Sequence, residues 1–117
     1  MKLTNEKDHE YRFGDNGPKY LGKGAFTDFG VVIIKAGDGY DTHMHERQEE
    51  AFFALEGRCD VYVNGEKITM VEGDYLQCEP GDAHTFQNPY DDDFKACFIK
   101  APHSKEKDSV YIDWKPG

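Results

Sequence analysis

The chain is expected to fold as an all-β sandwich or barrel in one domain, on three observations. Short runs rich in β-branched and aromatic residues recur at about ten-residue spacing. Gly, Pro, Asn and Asp clusters punctuate them. No segment sustains the apolar period of an amphipathic helix, so helices are at most short. A chain of 117 residues has room for one hydrophobic core and not for two.

Taken in order, Met1 to Glu10 is charged and is expected to be mobile. Tyr11 to Phe13 and Lys19 to Leu21 flank a turn at Asp15, Asn16, Gly17 and Pro18. Phe29 to Lys35 is a β-branched run too short for a typical helix and reads as a buried strand. Gly37 to Tyr40 is a glycine-rich turn leading into His43 to His45, and Glu50 to Glu56 follows as a strand. Cys59 to Val63 and Lys67 to Val71 flank Asn64 and Gly65, the pair that a type I′ hairpin turn demands because both central residues need positive φ. Gly73 and Asp74 open a strand through Cys78, Glu79 to Asp82 turn, His84 to Gln87 is the next strand, and Phe94 to Lys100 closes the set. Residues 11–103 make the barrel. The segment 104–117 carries Val110, Tyr111, Ile112 and Trp114, too apolar for a free tail, and is expected to form a strand packed on the barrel or on a second subunit.

His43, His45, Glu50 and His84 are the candidate metal ligands. Side chains alternate along an extended strand, so His43 and His45, two apart, share a face, with Met44 on the other. The segment from Glu46 to Glu49 is long enough to return Glu50 beside them, and His84 arrives from a third strand. Three imidazoles and a carboxylate form an N3O set suited to one divalent transition metal such as Mn, Fe, Co, Ni, Zn or Cu, and not to Ca or Mg, which take oxygen shells.

The glycines around these residues extend the pattern. Gly37, His43, His45, Glu50 and Gly57 are separated by five, one, four and six residues, and Gly73, Gly81, His84 and Asn88 form a second group. In both groups the chain resembles the cupin superfamily. The first motif matches at every position; the second departs where a proline is usual and Glu79 stands, with Pro80 next to it. The resemblance covers roughly residues 29–100 and implies a jelly-roll-like double-stranded β-helix, a single barrel since there is no internal repeat, and a homodimer. It also implies a choice between two chemistries. One is Lewis-acid isomerisation, epimerisation or elimination, as in archaeal phosphoglucose isomerase and enzymes of unsaturated uronate sugars. The other is O₂ chemistry, as in quercetin and acireductone dioxygenases, and oxalate-processing cupins use the same ligands with Mn. The thiol dioxygenase branch lacks the glutamate and is disfavoured by Glu50. A barrel that binds a small molecule or metal without turning it over is the third class, although such a barrel does not require four metal side chains.

Strand parity selects the walls of the site. With Glu50 facing inward, Phe52 and Ala54 follow it and Phe53 and Leu55 face away; with His84 inward, Phe86 and Asn88 follow. Phe52 and Phe86 are thus candidate pocket walls as well as core. Tyr75 is a candidate acid or hydrogen-bond donor if Tyr75 and Gln77, instead of Leu76 and Cys78, point inward, and parity alone leaves both open. Arg47, in the turn before Glu50, is a candidate anchor for a substrate carboxylate or phosphate, or else a turn residue paired with Glu46 or Glu49. Glu49 is expected to face solvent. Asp91, Asp92 and Asp93 read as a polar loop without Ca²⁺ ligand spacing, and His9 and His103 sit in polar terminal segments.

Composition bounds the partners. A net charge of −9 with only three arginines argues against nucleic acid and anionic membranes, leaving a small-molecule ligand or substrate. No apolar run reaches bilayer-spanning length, and the N-terminus lacks a signal-peptide core, so a cytoplasmic location is the expectation. Cys59, Cys78 and Cys97, odd in number and without C-x-x-C spacing, are expected as reduced core residues.

Overall fold

Two antiparallel five-stranded sheets face each other in the computed structural model, which describes residues 1–117. The strands are β1 (Gly17–Lys23), β2 (Asp28–Ile34), β3 (His43–His45), β4 (Glu49–Glu56), β5 (Arg58–Val63), β6 (Glu66–Val71), β7 (Tyr75–Cys78), β8 (His84–Gln87), β9 (Phe94–Ala101) and β10 (Ser109–Tyr111). One sheet has the order β1-β2-β9-β4-β7 and the other β10-β3-β8-β5-β6. Consecutive strands therefore mostly cross between sheets, the double-stranded β-helix expected from the sequence. The only helix is one 3₁₀ turn, Glu6–Asp8, and no helix is long and apolar enough to cross a membrane.

The hairpin joining β5 to β6 turns on Asn64 (φ 51°) and Gly65 (φ 83°), both in the left-handed region that a type I′ turn requires. The reversal before β1 comes earlier than expected. Phe13 N–H donates to the Asn16 carbonyl at 3.1 Å, and Gly17 and Pro18 already belong to β1. Proline is tolerated there because β1 is an edge strand. Within the N-terminal segment Glu6 meets the first sheet: Lys19 donates to its carbonyl at 2.6 Å and Lys95 pairs with its carboxylate at 2.7 Å. At the other end β10 pairs with β3, setting Tyr111 opposite His43 and Ser109 opposite His45.

Between the sheets the core gathers Ile34, Phe52, Ala54, Cys59, Val61, Met70, Cys78, Phe86, Phe94, Ala96 and Phe98. Phe94, Cys59 and Val61 are fully buried, and burial pushes the Cys59 thiol up to about 12, which keeps it protonated. Cys97 departs from the expected core placement. It alternates with the inward residues Ala96 and Phe98 of β9 and lies half-buried on the outer face.

The inner face of the first sheet is arranged in cross-strand rows. Lys23, Asp28, Lys100, Glu50 and Cys78 are register partners across β1, β2, β9, β4 and β7. One pleat deeper, Tyr20, Gly30, Phe98, Phe52 and Leu76 form the next row. Gly30 lacks a side chain where one could not fit, since a Cβ there would stand 2.5 Å from both the Lys19 carbonyl oxygen and Phe98 Cζ. That gap lets the Tyr20 and Phe98 rings meet edge to face, with centroids 5.2 Å apart.

Candidate metal centre

Three strands deliver the four predicted ligands to one place. His43 and His45 come from β3, Glu50 from β4 and His84 from β8, where His84 is the register partner of His43. One donor atom from each lies within 4.8 Å of every other. Donors each about 2.2 Å from a shared cation stand at most about 4.4 Å apart, so a bound ion would draw the widest of these pairs together by a few tenths of an ångström.

The hydrogen bonds around the cluster leave it one group short. His84 Nδ1 lies 2.9 Å from the Asp82 carbonyl, an acceptor only, so that nitrogen carries the proton and Nε2 is the free atom. His84 Nε2 is buried without a hydrogen-bond partner and faces Glu50 Oε1 at 3.4 Å. A lone pair facing a carboxylate is repulsive unless a proton or a cation stands between them. His45 Nε2 lies 3.0 Å from the same carboxylate oxygen, and its Nδ1 is the other buried polar atom without a partner. His43 Nδ1 lies 3.3 Å from the Asp41 carbonyl.

Charge follows from this geometry. Burial opposes ionisation of Glu50, but contacts from His45 and His84 and the field of Lys100 outweigh it and hold the carboxyl below the usual carboxylate range. Burial, with His84 close by, lowers His43 to about 4 and keeps it neutral. At His84 burial pulls the same way, yet Cys78 and Glu50 more than compensate and hold it at about 10 when no metal is bound. A divalent cation held by these residues would take the place of that proton and leave the Asp82 contact to Nδ1 intact. The donor set therefore fits a transition metal, one carboxylate and three imidazoles that can each offer a neutral nitrogen.

The cluster opens onto a cavity of about 740 Å³, within the range of small-molecule sites. His43, Glu50 and His84 line it together with Phe52 and Phe86. The Phe52 ring lies 6.0 Å from the His84 ring and 4.8 Å from that of Phe86, so the two aromatic side chains wall the cluster and also join the core. Residues Ser104 to Ser109 border the cavity from the C-terminal side. Asp108 pins this strap: its carboxylate accepts from the backbone N–H groups of Arg47 and Gln48, each at 2.9 Å.

Two sequence candidates lie outside the cavity. Tyr75 is 62% exposed and its hydroxyl donates to Gln77 at 2.7 Å, because β7 turns Leu76 and Cys78 inward. Arg47 is also directed away, with its guanidinium 3.3 Å from Asp108 and neither Glu46 nor Glu49 as partner. The cavity residues not foreseen include Tyr20, Asp28, Gln48 and Lys100. Lys100 was within reach of parity, since Phe94, Ala96 and Phe98 mark the inward positions of β9. Asp28 and Gln48 carry no local signal, because their partners are distant in sequence: His103, 2.6 Å from Asp28, is 75 residues away, and Gln48 donates to the Pro102 carbonyl, 54 residues away, at 2.9 Å.

Fold and ligand set together define a small cupin. The cupin domain family matches residues 30–100, more than half of the chain, and the chain belongs to it. Among characterised relatives it is similar to quercetin 2,3-dioxygenase of Bacillus subtilis, 25% identical over 89 residues, which cover 73% of this chain and 26% of the relative. It is also similar to the polyketide synthase CurC of Streptomyces cyaneus, 26% identical over 91 residues, covering 77% and 59% of the two chains. The chain thus spans less than two thirds of either relative. Among solved structures, a Klebsiella pneumoniae protein of unknown function with a double-stranded β-helix domain superposes with a TM-score of 0.81 at 15% identity, over 97% of this chain and 99% of that one.

Proposed function

We propose that this protein is a metal-dependent enzyme that uses a divalent cation as a Lewis acid on a small oxygenated metabolite: a sugar, a sugar acid or another carboxylate. The observation that carries this reading is the convergence of three imidazoles and one carboxylate, their donor atoms within 4.8 Å of one another, at the wall of a cavity of about 740 Å³. His43, His45, Glu50 and His84 would hold the metal, which supplies polarisation of a substrate oxygen and acidifies the adjacent C–H.

The chain's own groups do the rest. Phe52 and Phe86 exclude water beside the cluster and lower the local dielectric, strengthening each charge interaction there. Asp82 fixes the His84 tautomer and orientation through its backbone carbonyl. Isomerisation, epimerisation or elimination α to a carbonyl is the reaction class this supports. Similarity to a quercetin dioxygenase favours a second reading, oxygenation at the same ligands.

The two readings separate under anaerobic conditions. Metal-reconstituted protein is incubated in D₂O with a panel of hydroxy- and oxo-carboxylates and sugar acids, with α-proton exchange followed by NMR. Exchange or turnover without O₂ is the expected result. Turnover that requires and consumes O₂ moves the assignment to oxygenation, and ligand binding without turnover under either atmosphere contradicts an enzyme.

A further inference from the structure

The cavity holds an ammonium group with no carboxylate partner. Lys100 is half-buried on the inward face of β9, where its register partners are Asp28 on β2 and Glu50 on β4. Adjacent strands stand about 4.8 Å apart, so Lys100 lies between two carboxylates, and each is already engaged. Asp28 is held by His103 at 2.6 Å and faces Gln48 Nε2 at 3.4 Å. Glu50 lies 3.0 Å from His45 and 3.4 Å from His84. No carboxylate oxygen comes within ion-pair distance of Lys100. Its one hydrogen bond is to the Tyr20 hydroxyl at 2.7 Å, and the Tyr20 and Phe98 ring centroids lie 5.3 and 5.9 Å away. Tyr20 is itself held by Phe98 across the gap left by Gly30, so the ammonium is set against a rigid aromatic surface.

The balance of charge around it points the same way. Five basic side chains (Arg12, Lys23, Lys100, Lys105 and Lys107) and five acidic ones border the cavity. One of the acidic ones, Asp108, is paired with Arg47 outside it. Loading the His/Glu cluster with a divalent cation leaves this cavity positive, inside a protein of net charge −9. An ammonium in a partly desolvated cavity is costly without an anion, and Lys is suited to meet one as a point charge.

Resting on the metal-dependent reading above, we propose that Lys100, oriented by Tyr20, is the anchor for a substrate carboxylate, so that the substrates are small carboxylic acids and not neutral sugars. The carboxylate replaces water at the ammonium while the rest of the molecule faces the His/Glu cluster one strand away. Lys100 is thus a specificity residue, and Tyr20 a positioning residue that acts through it.

The test is binding of malonate, with malonamide as the neutral isostere, to the metal-loaded 117-residue chain by calorimetry, for wild type, Lys100→Gln, Lys100→Arg and Tyr20→Phe. Metal content is measured on each sample. Lys100→Gln should lose malonate affinity by about ten-fold or more, the worth of one charge-assisted hydrogen bond. Its malonamide affinity and metal content should stay at wild-type values, and Lys100→Arg should restore malonate binding. Tyr20→Phe keeps the ring and removes the hydroxyl, so it carries the test if the Gln variant does not fold; a several-fold loss confined to malonate is expected. Wild-type malonate affinity in Lys100→Gln, or equal losses for malonate and malonamide, overturns the anchor. Lys100-dependent malonate binding by a wild-type protein that takes up no metal upholds the anchor and overturns the metal-dependent reading alone. Full metal occupancy with Lys100-independent malonate binding does the reverse.

Discussion

On the inner face of the β1-β2-β9-β4-β7 sheet, the row Lys23, Asp28, Lys100, Glu50 and Cys78 lies one pleat from the row Tyr20, Gly30, Phe98, Phe52 and Leu76. The deeper row is held by burial of apolar surface and ring contacts, and its Phe52, Phe98 and Leu76 side chains gain by losing water. The outer row alternates in charge, and its carboxylates are stable only because each has specific partners: His103 for Asp28, His45 and His84 for Glu50. Two residues along the same strands convert a packing problem into an electrostatic one. The difference teaches that this barrel needs no separate loop for its site; the period of the β-strand suffices to put chemistry directly above core.

Deleting a ring from the deeper row should have the largest effect. Phe98→Ala is expected to cost about 3–5 kcal/mol in urea unfolding, because Phe98 is 2% exposed and supports both Tyr20 and the core. Lys100→Gln, one pleat away, should cost less than about 1 kcal/mol, and a comparable loss for the two would erase the distinction between the rows. Gly30→Ala comes next at about 1–3 kcal/mol, since its Cβ would meet a backbone oxygen that cannot move aside cheaply.

The strap offers a test of similar size. Burial works against the Asp108 carboxylate, but the Arg47 and Gln48 amides and the Arg47 guanidinium outweigh it and lower its pKa. Stability from this group is therefore present above the unfolded value of about 3.9 and is lost as pH falls through the lower folded value. Asp108→Asn should remove about 1–3 kcal/mol at pH 7 and speed hydrogen exchange at the Arg47 and Gln48 amides. Unchanged exchange would show that the strap is held by β10 alone.

A smaller, sharper effect concerns protons. Without metal His84 stays protonated up to about 10, and a metal-bound His84 has lost that proton. Loading at pH 8 should release close to one proton, read by calorimetry in buffers of different ionisation enthalpy, and apparent affinity should rise with pH below about 10. Buffer-independent heats would mean that His84 already offers a free nitrogen. The smallest effect is expected at Tyr75→Phe, within about 0.5 kcal/mol and with metal content unchanged, because its hydroxyl reaches only Gln77 on the outer face.

The His/Glu cluster was legible because its determinants are local. His43, His45 and Glu50 fall within eight residues on two strands, where parity and turn length decide direction. The hairpin was legible for the same reason, through the positive φ that Asn64 and Gly65 accept. What escaped depends on register between distant strands. Nothing near Lys100 reveals that Glu50 and Asp28 flank it, and Arg47 pairs with Asp108, 61 residues away in sequence, whereas neighbouring glutamates were the expected partners. Tyr75 shows the limit of parity in a short strand: the alternation is certain, but its phase is set by Cys78 packing beside Glu50.

Metal analysis of the wild-type protein and His84→Ala, each purified without chelator or metal-binding tag and checked for folding by circular dichroism, tests the central claim most directly. The account predicts close to one divalent transition metal per wild-type chain, as purified or after reconstitution, and its loss from a folded His84→Ala barrel. Full occupancy in the variant, or a wild-type protein that takes up no metal, would contradict it.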